Sequence, residues 1–198
     1  MPMLKTNVRL RGEKGEIYMP NHIRNVVKIK NIPKDKIDYV LNKLAIKYKM
    51  PEYRGGAEEW IMDFDLIIPE PRYKKDCPKN CIVNSKSHVE EDSDRPWFNW
   101  YDWHCAYWDT KWNAYDGYTK IGKTQLTFVF NTAWSAPFTI YEKLCKLGYD
   151  MDIRYADEDI GSNCGRITYD ASEHNFVHYP ESELTDPVKF AKHIWDNY

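Results

Sequence analysis

The sequence predicts an α+β fold, a mainly antiparallel sheet with helices packed on one face. Three observations predict it. Short runs rich in Val, Ile and Phe alternate with segments whose apolar residues recur at helical spacing. The last runs are separated by turns short enough for hairpins. The stretch from Trp97 to Tyr118, WFNWYDWHCAYWDTKWNAYDGY, holds five of the eight tryptophans and supplies the bulk for one large core.

Residues 1–18 are polar and mixed in charge and read as an N-terminal extension, leaving 19–198 as a single compact unit. Val26, Val27 and Ile29 predict the first strand. Pro33 opens a helix on which Ile37, Val40, Leu41, Leu44 and Tyr48 repeat. Pro51 and the Gly55-Gly56 pair stop it, and EEWIMDFDLIIPEP predicts a second strand ended by Pro69 and Pro71. From 72 to 95 the chain is rich in Lys and acids and predicts a long loop carrying Cys77, Cys81 and His88.

At 100° per residue the aromatic stretch predicts a helix with Trp97, Trp100, Tyr101, His104, Cys105 and Trp108 inward. Asn99, Asp102, Ala106 and Asp109 fall on its polar strip. Gln125–Ala133 follows as a strand, and Ser135 and Pro137 begin a helix carrying Ile140, Tyr141, Leu144 and Leu147 up to Gly148. Met151–Tyr155 and Arg166–Tyr169 pair as strands around an acidic turn, Asp157-Glu158-Asp159. Phe176–Tyr179 adds an edge strand. Asp186 before Pro187 caps a last helix with Val188, Ala191, Ile194, Trp195 and Tyr198 on one face.

Composition limits function. The 28 Lys and Arg against 30 Asp and Glu give a formal charge of -2, so bulk charge does not drive general DNA coating. No apolar run reaches the roughly 18 residues of a membrane span, and the start of the chain lacks a signal peptide's apolar centre, so a cytoplasmic protein is expected. Five scattered cysteines predict reduced thiols rather than a disulfide framework.

Gly117–Thr124 spells the phosphate-loop pattern G-x-x-x-x-G-K-[ST], but a strand follows it where such a loop needs a helix, so a turn between elements is expected. Cys77-x3-Cys81 with His88 has spacing for two or three zinc ligands without an evident fourth, and no cofactor or metal is expected. Asp157, Glu158 and Asp159 do not match a calcium loop. Exposed on a turn, they suit a partner's basic surface instead. Trp112, Tyr115 and Trp134 could stack on bases, although burial in the core is the expected role. His22, in Pro20-Asn21-His22, is a candidate general base without an assignable nucleophile, so a hydrogen-bonded structural histidine is expected.

Four segments together resemble a family, the Api-type proteins of phages and plasmids: MPNHIRN at 19–25, TKWNAYD at 110–116, FNTAWSAP at 130–137 and YADEDIGSNCG at 155–165. The resemblance implies a ferredoxin-like fold for the C-terminal part. It also implies an accessory protein of a mobile element, made in a bacterial host, and it supplies no catalytic residues. The expected function is therefore non-enzymatic: binding, and inhibiting or modulating, a host defence or nucleic-acid-processing protein through the acidic turn. Any dependence on nucleic acid is expected to arrive through that partner. A nucleic-acid- or nucleotide-binding module, and an enzyme of unrecognised mechanism, are the alternatives.

Overall fold

The first strand is the middle of the sheet. The computed structural model describes residues 21–49, 55–76 and 97–198. The extension at 1–18 and the candidate ligands Cys77, Cys81 and His88 lie outside the described residues. Strand β1 (His22–Lys30) pairs antiparallel on one edge with β5 (Leu126–Ala133) and on the other with β6 (Asp150–Asp157). Strand β4 (Tyr115–Ile121) adds outside β5, and β7 (Gly165–Asp170) and β8 (Asn175–Pro180) add outside β6, giving the order β4-β5-β1-β6-β7-β8. Every pairing is antiparallel, so β1 and β4 run the same way with β5 between them, and β5 and β6 do so around β1.

One face of β1 is buried along its length, and the other is covered around Val26 while Lys28 and Lys30 stay partly exposed. On one face Ile23, Val27 and Ile29 join Phe128, Phe130, Ile153 and Ile167 against α1 (Ile37–Leu44), α2 (Phe64–Ile67) and α4 (Phe138–Cys145). On the other, Val26, Val129, Ala156 and Cys164 meet Ala191 and Ile194 of α5 (Pro187–Asn197), so one helix crosses the second face. Asp186 caps α5 through Lys189 N, with Pro187 in the first turn, as the sequence predicts.

Three local expectations are corrected. The first helix ends at Leu44, and Ala45–Lys49 forms β2, which pairs with β3 (Glu58–Met62) as a separate two-stranded sheet. Tyr48 sits in helical register by sequence, yet its side chain is exposed in β2, as are Ile46, Lys47 and Lys49. Phe64–Ile67 is a helical turn capped by Asp63, not a continuation of the strand. The phosphate-loop look-alike is mostly strand β4, and only Gly122–Gln125 forms the turn, closed by Gly122 N donating to Gln125 O at 2.8 Å.

Candidate functional site

The aromatic helix α3 (Trp100–Tyr107) sets one wall of the site, and its register differs from the sequence expectation. Asn99 caps it by accepting from Asp102 N, which fixes the start three residues later than the periodicity suggests. The inward residues are therefore Trp103 and His104, with Trp108 closing the helix, while Cys105 faces out and Asn99 is buried. His104 lies between two oxygens, Glu70 Oε1 at 2.6 Å and the Lys111 carbonyl at 2.9 Å, and stacks on the Trp108 indole. This locks the chain leaving α3 and aims residues 109–116 at the end of the sheet where β1 begins and β5 and β6 end.

At that end the two groups of candidate residues meet. Trp134 follows β5 at φ 70°, a left-handed conformation that bulky residues rarely adopt and that costs about 1 kcal/mol or more. Its backbone is held from both sides, the N–H by Asn21 O and the carbonyl by Asn163 Nδ2. The turn flips the indole outward, leaving it 44% exposed. Asp109, Asp116 and Asn163 also have positive φ, so four of the six such non-glycine residues among the described residues surround this patch.

Lys111 places its ammonium 4.5 Å from the Trp112 ring centre and 4.9 Å from that of Trp134, bridging the two indoles. Tyr115 meets Trp112 edge-on and lies 2.6 Å through its hydroxyl from His22 Nδ1. A bulge makes this possible: the β4–β5 register shifts between Tyr115 and Tyr118, with Asp116 at φ 49°. Gly117 then runs against β5 so closely that an added Cβ would stand 2.5 Å from Val129 O. Burial, followed by the charges of Asp116 and Glu158, pushes the Tyr115 phenol well above its ordinary range, so it stays a neutral hydrogen-bonding partner.

The acidic turn divides in two. Asp157 is buried and structural: its carboxylate accepts from Asn21, Asn163 and the backbone of Asp159, and its carbonyl from Trp195 Nε1. This corrects the reading of three exposed acids. Glu158 and Asp159 alone face solvent, and Glu158 also accepts from His22 N. Among the described residues no three His, Cys, Asp or Glu side chains come together as metal ligands. The buried thiols of Cys145 and Cys164 are both pushed up to about 11, chiefly by burial, which keeps them unreactive.

Chemically, the site offers an exposed indole, a lysine shared by two rings, a hydrogen-bonded His–Tyr pair and two exposed carboxylates, of which Glu158 also holds the His22 amide. Asn21, Lys111 and Asn163 are the contributors that sequence reasoning missed. The only signal for them lay in their neighbours, since each acts through a backbone or ring it supports.

Residues 107–196 match the family model described as the ferredoxin-like domain in Api92-like protein. The fold is ferredoxin-like. No curated protein and no solved structure matched. The matched segment supplies Trp112, Tyr115, Trp134 and the acidic turn, but His22 comes from β1, outside it. The ferredoxin-like sheet is thus completed by a strand from the N-terminal half. Among the described residues no helix is long and apolar enough to cross a membrane.

Proposed function

We propose that this chain is a non-enzymatic binding protein of a mobile element that docks on a protein of its bacterial host through the patch around Trp134. The exposed, backbone-locked Trp134 carries this reading. A tryptophan held rigidly on a surface gives a large contact area with little ordering cost, as interface anchors do. Glu158 and Asp159 rim it with negative charge, which suits a basic surface such as nucleic-acid-handling proteins present. The mobile-element context that the resemblance implies is what points to a cytoplasmic host target in defence or nucleic-acid processing.

The test compares capture of host proteins by the wild type, by Trp134→Ala and by the double variant Glu158→Lys, Asp159→Lys, all at matched melting temperature. Asp157 is left unchanged because it holds the turn together. Loss of the same captured protein in both variants is expected, with nuclease treatment making no difference. Capture unchanged in both removes the patch from function.

A further inference from the structure

Beside α5, the second face of the sheet carries a line of cations that the patch above does not use. Lys28 and Lys30 alternate on β1, Lys120 stands on β4, Arg154 on β6 and Arg166 on β7. The pairing register puts them on one face. Lys120 lies opposite Thr127, which lies opposite Lys28, and Arg154 lies opposite Arg166. With neighbouring strands about 4.8 Å apart, the cations span roughly 20 Å across the sheet.

One buried carboxylate organises the line. Asp152 accepts from Arg166 Nε at 2.9 Å and Arg154 Nη2 at 3.1 Å, and stands 3.9 Å from Lys30 Nζ. Its side chain is only 6% exposed against 41% for Arg166 and Lys30, so it fixes the cations from beneath and leaves their outer N–H groups to solvent. Lys28 and Lys120 are fixed at the other end, each about 5 Å from the Tyr198 ring centre, with Lys28 also donating to the Tyr198 hydroxyl. Asp150 bounds the line at its lower edge, occupied by Asn31 and the Ala171 amide. Between the cations the face shows the partly exposed Thr168, and Tyr179 lies exposed beside Arg166, while Thr127 is buried and its hydroxyl accepts from Gln125.

We infer that this face is a second binding surface, for single-stranded nucleic acid, with Lys28, Lys30, Lys120, Arg154 and Arg166 contacting successive phosphates. Charge complementarity selects a polyanion. The broad sheet face, with Tyr179 and Thr168 beside the cations, selects a strand with exposed bases, because a duplex is read by an element that enters a groove. An acidic polypeptide would use the cations alone. A formal charge of -2 is no obstacle, since these cations are gathered on one face.

The experiment is fluorescence anisotropy of labelled oligothymidylate with the full chain over a salt series. Binding is expected with log K falling against log salt at a slope of about −3, from roughly −0.7 for each of four or five phosphates. The variant Lys30→Gln, Lys120→Gln, Arg166→Gln should bind at least about tenfold more weakly. The control Lys34→Gln, Lys36→Gln, Lys43→Gln removes the same charge beyond the opposite face and should bind within about twofold of wild type. Thermal melts confirm that both variants are folded, and Lys120→Gln alone, at an exposed strand position, serves if the triple variant is not. No binding at low salt, equal weakening in both triple variants, or displacement by polyglutamate as effective as by unlabelled oligothymidylate each overturns the inference.

Discussion

The Tyr141 hydroxyl donates to Asn25 Oδ1 at 2.5 Å, joining α4 to the central strand inside the core. Asn25 is fully buried, and its amide donates to the Ile23 and Phe130 carbonyls and to Thr132 Oγ1. Every polar atom of this side chain is thus satisfied by a fixed neighbour. The arrangement ties the angle of α4 to the β1–β5 register, which in turn places Trp134.

Tyr141→Phe should therefore destabilise by about 1–3 kcal/mol, because it strands the Asn25 carbonyl oxygen without changing the packed ring. Urea denaturation measures it. A loss within a few tenths of a kcal/mol would show that water or a shifted Asn25 replaces the bond.

Asp152 makes stability depend on acid. Burial pushes its carboxyl up, but the hydrogen bonds and charges of Arg166 and Arg154 outweigh this and hold it below the usual carboxylate range. Its contribution is whole above the unfolded carboxylate range and is lost as pH falls through the lower folded value. Asp152→Asn should cost about 1–2 kcal/mol near neutrality, since its partly exposed arginine partners can turn to water. It should also flatten the final part of the acid denaturation curve. An unchanged curve would remove Asp152 from the acid transition.

Trp108 and Trp134 should behave oppositely. Trp108 is buried, donates through Nε1 to the Ile68 carbonyl and carries the His104 ring, so Trp108→Ala should cost about 3–5 kcal/mol. Trp134→Ala should cost far less, about 1 kcal/mol, because its half-exposed ring loses only the Lys111 and Tyr101 contacts. Thermal melts of the two variants in the reverse order would contradict the burial described for each.

A fragment of residues 107–198 should not fold cooperatively. It contains the family-matched segment but lacks β1, and without β1 the strands β5 and β6 stand about 10 Å apart with no partner between them. Near-ultraviolet circular dichroism of the fragment should show no fixed aromatic environment. A sharp thermal transition in the fragment would mean that β5 and β6 find another pairing.

The sheet strands were legible where apolar residues alternate or run together, as in β1, β5 and β6, and the last helix was legible from Asp186-Pro187. Strand β4 was hidden because its bulge at Asp116-Gly117 breaks the period of two. The α3 register was hidden because Asn99, a polar residue, is buried as a cap while Cys105 is exposed. At the candidate site the aromatics and acids were visible singly. Their convergence was not, since it depends on the β1–β5 and β1–β6 registers. Composition could not show that the cations of β1, β4, β6 and β7 face one way. It averages over faces, and the alternation in Lys28-Ile29-Lys30 was the one local hint.

The strand at the heart of the sheet is also the first part of it to leave the ribosome. β5 begins at Leu126, nearly a hundred residues after β1 ends at Lys30. At roughly 5–20 residues per second, β1 waits on the order of 5–20 s for its first neighbour, with both hydrogen-bonding edges open and Val26, Val27 and Ile29 uncovered. The intervening α1 and the small β2–β3 sheet are local enough to form in that interval. α1 and, through Ala45 and Met62, the small sheet belong to the core cluster of Ile23, Val27 and Ile29, so until the later strands and α5 arrive the opposite face at Val26 and both edges of β1 have no native cover.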